Sequence, residues 1–448
     1  MRAAEYKKEV RSILRLSVPL ALGELGWMAM AVVDNVMVGR LPNSAEAIGA
    51  ASLGGALFYG FAIFGLGLMS GLDSFVSQAF GADDWTEVRR SLASGLVLAL
   101  CATPILVALV LGSIPLLGLI GVTGAVRDQA AGFTRVLVWS LPLLLLYTTF
   151  RRYLQGIHYV KPITFALVSS NVVNAFGNWL LIYGHWGAPA LGVGGSALST
   201  VIARIYLAGM LGIAVYRRDP SAFLRMQPDP AHVGRLFRVG FPAALTIGFE
   251  VGVFNLATAL AGKLDPISLA AHTIALNAAA VAYMVPLGIG SAAAVSVGRA
   301  LGAGDRTGAA RAGWMAIGLA ALLEVVSAAL FLVFPRQIAS VYTRDAGVIS
   351  FSIALFAVAA VFQIADGVQT VASGALRGAG ITRNPMILNL VGYWAIGLPL
   401  GCWLCFRWKW GVVGLWDGLC LALILIAAGL IMEWRAAGKR FAKMPLPT

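Results

Sequence analysis

Apolar residues along this chain fall in long blocks separated by short polar or Pro/Gly-rich gaps. Each block is about as long as a helix needs to cross roughly 30 Å of hydrocarbon. Twelve can be drawn, at about 13–39, 48–78, 92–114, 134–152, 163–184, 193–216, 236–262, 268–298, 312–334, 349–375, 386–406 and 412–433. The pattern predicts an all-α integral membrane protein of twelve transmembrane helices, because backbone inside lipid must satisfy its own hydrogen bonds. The gaps are too short to hold a soluble domain.

The pattern also repeats. Aligning Pro19 with Pro242 brings Gly39 onto Gly262, and after a small contraction "GAD" at 81–83 lies over "GAG" at 302–304. Further on, "LQG" at 154–156 meets "LRG" at 376–378, Pro162 meets Pro385, and "GVGG" at 192–195 meets "GVVG" at 411–414. The longest polar gap, "YRRDPSAFLRMQPDPAHVGRLFR", follows the sixth block. The expected organisation is an N-lobe over 1–216, an inter-lobe loop over 217–235 and a C-lobe over 236–448. Six is even, so both halves run the same way through the membrane, as two pseudo-symmetric six-helix bundles in parallel repeat. Like bundles that face each other enclose a cavity able to open to either side, which is a transporter's architecture; a duplicated helical scaffold is the plain alternative.

Composition agrees with this reading. The chain is 59% hydrophobic and 12% charged over 448 residues, with mean hydropathy +0.84, against about 25% charged in a soluble domain. Its net charge of +13 sits in short clusters between blocks, with no continuous basic face for nucleic acid. Counted loop by loop, 24 Lys and Arg lie on the side of the termini and 8 on the other, with Arg204 inside a block. The positive-inside rule therefore puts both termini in the cytoplasm. The N-terminal block shows no short apolar region followed by an A-x-A site and is expected to be a retained first helix.

Against that background the acids inside the blocks stand out. They are Glu24, Asp34, Asp73, Glu250, Glu324, Asp366 and Asp417. A charged side chain at the bilayer centre costs about 2.5–3.5 kcal/mol on insertion scales, and few basic residues share their depth. An unpaired acid in a membrane takes a proton or a cation. Asp34, in "VVDNVMVGRL", aligns with Ala257, and Glu250, in "TIGFEVGVFNLA", aligns with the region of Trp27, so these acids are not part of the repeated scaffold. In "NVVNAFGNWLL", Asn171, Asn174 and Asn178 follow helical spacing and offer Asp34 a polar face, or else serve as interhelical glue. Asp366 lies inside the tenth block, and Tyr283, three residues before Pro286, offers a ring to an organic cation or anchors a helix end. Asp73 and Gln78 are expected to cap and tether a loop, and Glu324 and Asp417 to be paired structurally.

Other chemistry is thin. Cys101, Cys402, Cys405 and Cys420 lie in apolar blocks, "CWLC" has no second pair, and the four histidines show no ligand spacing, so no transition-metal site is expected. The glycine strings "GLGLMSG" and "GVGGSA" lack the setting and the Lys of a phosphate loop. With no ATP-binding domain and no nucleophile constellation, an ion gradient is the expected driving force and enzyme activity is not expected.

The segments "VDNVMVGRL", "GLDSFVSQAFGADD", "LQGIHYVKP", "NVVNAFGNWLLIYG", "LGVGGSALSTVIAR", "GRALGAGD" and "LRGAGITRNP" resemble, in order and over essentially the whole chain, the multidrug and toxic compound extrusion (MATE) family. The likeness is strongest to the bacterial branch related to the norfloxacin efflux pumps. It implies a monomeric antiporter of the bacterial inner membrane that exports amphipathic, mostly cationic drugs in exchange for Na⁺ or H⁺ by rocker-type alternating access, with no other cofactor. By the same resemblance Glu250 and Asp366 are paired cation-site acids, Tyr283 an aromatic beside them, and Asp34 the first-helix coupling acid. Asn174 and Asn178 fall on N-lobe polar positions, where other branches carry a second acid in place of Asn178. Asp34, Tyr283, Glu250 and Asp366 are also the expected substrate contacts. Pro19, which frees a carbonyl and bends its helix, is an expected hinge. Two other readings remain: a flippase of the same superfamily for lipid-linked sugars, whose cavity would be cationic, and a non-transporting membrane receptor or scaffold, which needs no buried acids.

Overall fold

Twelve helices long and apolar enough to cross a bilayer organise the computed structural model, which describes residues 2–119, 121–224 and 226–443. They are α1 (Ile13–Val38), α2 (Ser44–Gly81), α3 (Trp85–Leu119), α4 (Gly124–Gly156), α5 (Lys161–Tyr183), α6 (Val193–Arg218), α7 (Pro230–Ala261), α8 (Pro266–Gly302), α9 (Arg306–Val333), α10 (Ala346–Gly378), α11 (Arg383–Arg407) and α12 (Gly411–Phe441). Among the described residues there is no strand. Each expected apolar block holds one helix, but several helices run one or more turns past their block.

The reason is that hydropathy marks lipid depth, whereas capping marks the helix end. Asp84 accepts from the Glu87 N–H at 3.0 Å, Asp305 from Gly308 at 2.8 Å, and Asp345 from Gly347 and Val348 at 2.8 and 3.0 Å. These caps start α3, α9 and α10 several residues before the apolar block begins. Asp265 does the same for α8. The Ser268 hydroxyl and N–H hold its carboxyl below the usual carboxylate range.

Packing divides the chain into two units. One, here the N-terminal unit, holds Leu22–Phe80 and Asp84–Ala244; the other, here the C-terminal unit, holds 2–21, Gly81–Asp83 and 245–443. These differ from a division by chain order: α1 and α7 each begin in one unit and end in the other. Both changeovers fall two residues after the aligned prolines Pro19 and Pro242, which lie inside their helices. A proline in a helix interior removes one i→i−4 hydrogen bond and clashes with the preceding turn, so both helices are weakened at equivalent points.

Within the N-terminal unit, acids and bases pair. Arg151 bonds Glu24, Arg152 lies 3.1 Å from Asp73, and Arg89 donates to Asp219 at 2.8 and 3.2 Å. The expectation that Asp73 tethers its end of α2 gains a partner, and Glu24 is no longer an unpaired acid. Within the C-terminal unit the core is largely alanine, with valine, leucine and isoleucine, mostly from α8, α9, α10 and α12, and Trp416 and Trp434 are fully buried on α12. Trp416 donates to His272 Nδ1 at 3.0 Å, and His272 Nε2 meets Thr258 at 2.9 Å.

Helix α11 departs from α geometry over Leu390–Gly397 and Trp403–Arg407, both π-helical. Such widened turns are rare and frequent at functional sites. The first carries Tyr393, fully buried, and Trp394, whose indole N–H donates to the Phe249 carbonyl at 3.1 Å.

Candidate functional site

In the N-terminal unit Asp34 projects from α1 onto α5 and α6. The Asn178 amide donates to Asp34 Oδ1 at 2.6 Å, and the Thr200 hydroxyl donates to Oδ2 at 3.3 Å. Behind them Asn178 also donates to Asn174 Oδ1 at 3.4 Å, and Asn174 exchanges bonds with Ser199, whose hydroxyl donates to the Asn174 carbonyl at 2.7 Å. This arrangement follows from the i,i+4 spacing of Asn174 and Asn178 on one face of α5. It also needs α6 to come close: a Cβ at Gly177 would strike the Ser199 side chain. Asn174 and Asn178 are fully buried; Asp34 is half-buried.

Asn171, the third member of the same helical series, goes elsewhere. Its amide donates to the carbonyls of Gly26 and Leu167 at 3.0 and 2.8 Å. It ties α5 to α1 and does not reach Asp34. Thr200 and Ser199 carried no sequence expectation; their signal is that "LST" follows the "GVGG" turn by one helical turn on a face that small residues leave open.

Arg204 lies one turn beyond Thr200 and is 1% exposed. It bonds the Ser140 hydroxyl, donates to Tyr59 Oη at 2.8 Å and lies 4.7 Å from the centre of the Phe58 ring. No ion pair joins it to a carboxylate among the described residues. The guanidinium is therefore held by hydroxyls and rings; Asp34 takes its hydrogen bonds from an amide and a hydroxyl, with Arg204 within electrostatic reach. A double-mutant cycle on Asp34→Asn and Asn178→Leu is expected to give non-additive losses in thermal stability, with a coupling of about 1.5–3 kcal/mol, the range for a hydrogen bond to a charged group. Additive losses would show that the contact carries no energy.

In the C-terminal unit Glu250 projects from α7. Tyr283 of α8 donates to Glu250 Oε1 at 3.3 Å, and Gln369 of α10 reaches Oε2 at 3.5 Å. Gln369 in turn donates to Asn389 Oδ1 at 3.1 Å, and Asn389 is anchored on the Pro385 carbonyl at 2.9 Å. Asp366 lies one turn before Gln369 on α10, 7% exposed, within electrostatic reach of both Glu250 and Glu324. The expected trio of Glu250, Tyr283 and Asp366 is thus brought together. No ion pair reaches Glu250, Asp366 or Glu324 among the described residues.

Among the described residues Glu324, expected to be paired structurally, meets the Gln363 amide at 3.5 Å and no base. The helix positions of Gln363, Asp366 and Gln369 explain how the site forms, since steps of three residues put all three on one face of α10. The stripe was visible in "VFQIADGVQTVASG" but carried no expectation beyond Asp366. Tyr393, buried and within electrostatic reach of Glu250, Asp366 and Tyr283, was not legible, because its position depends on the π-helical turn of α11. Acceptor oxygens outnumber donors in this cluster, so it suits a cation or a proton.

Comparison with known proteins is consistent over the full length. The sequence model of the MatE family matches residues 19–180 and again 242–403, each match beginning at one of the two aligned prolines. The chain is 35% identical to a probable multidrug resistance protein NorM of Mesorhizobium japonicum, over 96% of this chain and 94% of that one. It is 38% identical to the multidrug resistance protein NorM of Burkholderia vietnamiensis, over 94% and 92%. Its fold superposes on the crystal structure of a eukaryotic MATE transporter with a TM-score of 0.86 at 21% identity, covering 98% of this chain and 99% of that one.

Proposed function

The chain belongs to the MATE family and is a multidrug efflux transporter of a bacterial membrane, and we propose that it exchanges amphipathic, mostly cationic compounds for Na⁺ or H⁺ taken up at its buried acids. The observation that carries this reading is the pair Glu250 and Asp366: two carboxylates inside a helical bundle with no basic partner, one of them held by Tyr283 and Gln369. Two such acids in a low-dielectric interior repel each other and attract one small positive charge. A drug bearing a positive charge and the coupling ion would compete for the same oxygens, directly or through alternating exposure of the two membrane sides. Asp34, with Asn178 and Thr200, is the corresponding station of the N-terminal unit. Pro19 and Pro242 are the proposed hinges, since each weakens its helix beside a changeover between packing units.

The excess of Lys and Arg on the side of the termini assigns both to the cytoplasm of an inner membrane. Each acid cluster is completed by helices of its own unit, so a monomer suffices. A lipid-linked-sugar flippase would need free cationic groups; both amino groups of Arg204 are already engaged by Ser140 and Tyr59.

The test is reconstitution in liposomes with ethidium as cargo, under an imposed Na⁺ or pH gradient. Ethidium efflux is expected to accelerate with one of the two gradients and to collapse when an ionophore removes it. Wild-type movement indifferent to both would exclude antiport.

A further inference from the structure

We propose that Glu324 and Gln363, together with Asp366, form a second binding position for a single small positive charge, a proton or Na⁺, one that shares Asp366 with the Glu250 pair and does not use the contacts of Glu250. Glu324 comes from α9 and is 1% exposed, as is Gln363 of α10; Asp366 is 7% exposed. The three lie together. Gln363 Nε2 is 3.5 Å from Glu324 Oε2 and 3.4 Å from the Ala279 carbonyl of α8. The Glu324 side chain runs across Gly367, the residue after Asp366; a Cβ there would collide with it. Glycine at 367 is therefore what admits a carboxylate to this depth.

The donor count is what points to a ligand. Glu324 Oε1, Gln363 Oε1 and Asp366 Oδ1 are each buried and accept no hydrogen bond. One carbonyl oxygen without a donor is tolerable; three within one cluster of side chains, two of them on carboxyl groups, cost several kcal/mol in a medium without water. The groups facing them add no cation: Glu250 from α7, Tyr283 from α8, Ser327 from α9 and Tyr393 from α11. Two acids with only amide and hydroxyl neighbours cannot both be ionised at this depth without a positive charge between them. A proton on Glu324 or Asp366 supplies one donor for an unpaired oxygen; Na⁺ would draw on the same unpaired oxygens. Glu324 thus extends the acid series from Glu250 on α7 and Asp366 on α10 to α9.

The role of this charge in transport rests on the antiport reading; its location does not. The experiment is infrared difference spectroscopy of the full-length protein in phospholipid liposomes, first for a pH step in Na⁺-free buffer, then for Na⁺ addition at fixed pH. If the charge is a proton, the pH step yields a carboxylic-acid C=O band that Glu324→Gln deletes and Glu324→Asp shifts. If it is Na⁺, the addition yields a carboxylate-stretch change with the same response to the two variants. Glu250→Gln, which changes a charge facing Asp366, shifts the Glu324 band without deleting it. Gln363→Leu, which keeps both acids, moves the same band and serves where Glu324→Gln does not fold. Difference spectra of Glu324→Gln and Gln363→Leu identical to wild type in both arms would overturn the site. A wild type that shows the band yet pumps under neither gradient would overturn antiport and leave the site standing.

Discussion

Glu250→Gln combined with Asp366→Asn is expected to abolish gradient-driven efflux while leaving the protein folded. Each change keeps the shape of the side chain, removes its charge and exchanges one acceptor oxygen for an amide NH2. A carboxylate about 4 Å from a unit cation contributes about 4 kcal/mol at an effective dielectric of about 20. Losing that interaction weakens cation binding by roughly three orders of magnitude, since each 1.4 kcal/mol is tenfold. Tyr283→Phe sets the scale for comparison. It removes one hydroxyl that lies 3.3 Å from Glu250 Oε1 and should cost about 1 kcal/mol, a few-fold in apparent ion affinity. The measurement is initial efflux rate against imposed gradient in liposomes. A double variant that retains full gradient-driven efflux would remove these acids from the coupling mechanism.

The second large effect is on stability, and it concerns an acid that the transport reading does not use. Glu24 and Arg151 form an ion pair in which both side chains are mostly buried, at 13% and 9% exposure, with the guanidinium also reaching Tyr147 Oη at 3.4 Å. Tyr147 stacks on Trp27 at 6.0 Å between ring centres, so the pair is backed by aromatic packing. Arg151→Met leaves Glu24 buried and unpaired, which for such a pair typically costs about 3–5 kcal/mol. Thermal unfolding in detergent should fall by roughly 10 °C, given about 2–4 °C per kcal/mol for a unit of this size. Adding Glu24→Gln removes the stranded charge and should restore most of the loss. A double variant no more stable than Arg151→Met alone would mean that packing of the arginine stem, not charge pairing, holds α1 to α4.

The structure sorts six of the seven intramembrane acids by what surrounds them, a distinction that residue type alone does not make. Glu24 and Asp73 are paired with Arg151 and Arg152, which stand side by side on α4 and present their guanidinium groups to different helices. Asp34 meets amides and a hydroxyl, with Arg204 within electrostatic reach, while Glu250, Asp366 and Glu324 meet amides, hydroxyls and each other. The first group costs stability when broken. The second is chemically open to a small cation.

The sequence by itself determined the twelve spans, their pairing in a repeat and the helices that carry the acids. Those properties follow from local quantities: apolar length against bilayer thickness, and helical spacing that fixes which residues share a face. The same local logic placed Asn178 and Asn174 beside each other, but it could not separate them from Asn171, because all three share the spacing. Only the tertiary structure decided that Asn178 meets Asp34 while Asn171 meets the Gly26 carbonyl. That choice depends on where α1 crosses α5. Thr200, Tyr393 and the absence of a basic partner for Glu324 were likewise set by helix crossings, by the π-helical turn of α11 and by the space that Gly177 and Gly367 leave. A contact between two helices is a property of both and of the angle between them, and neither helix's sequence contains it.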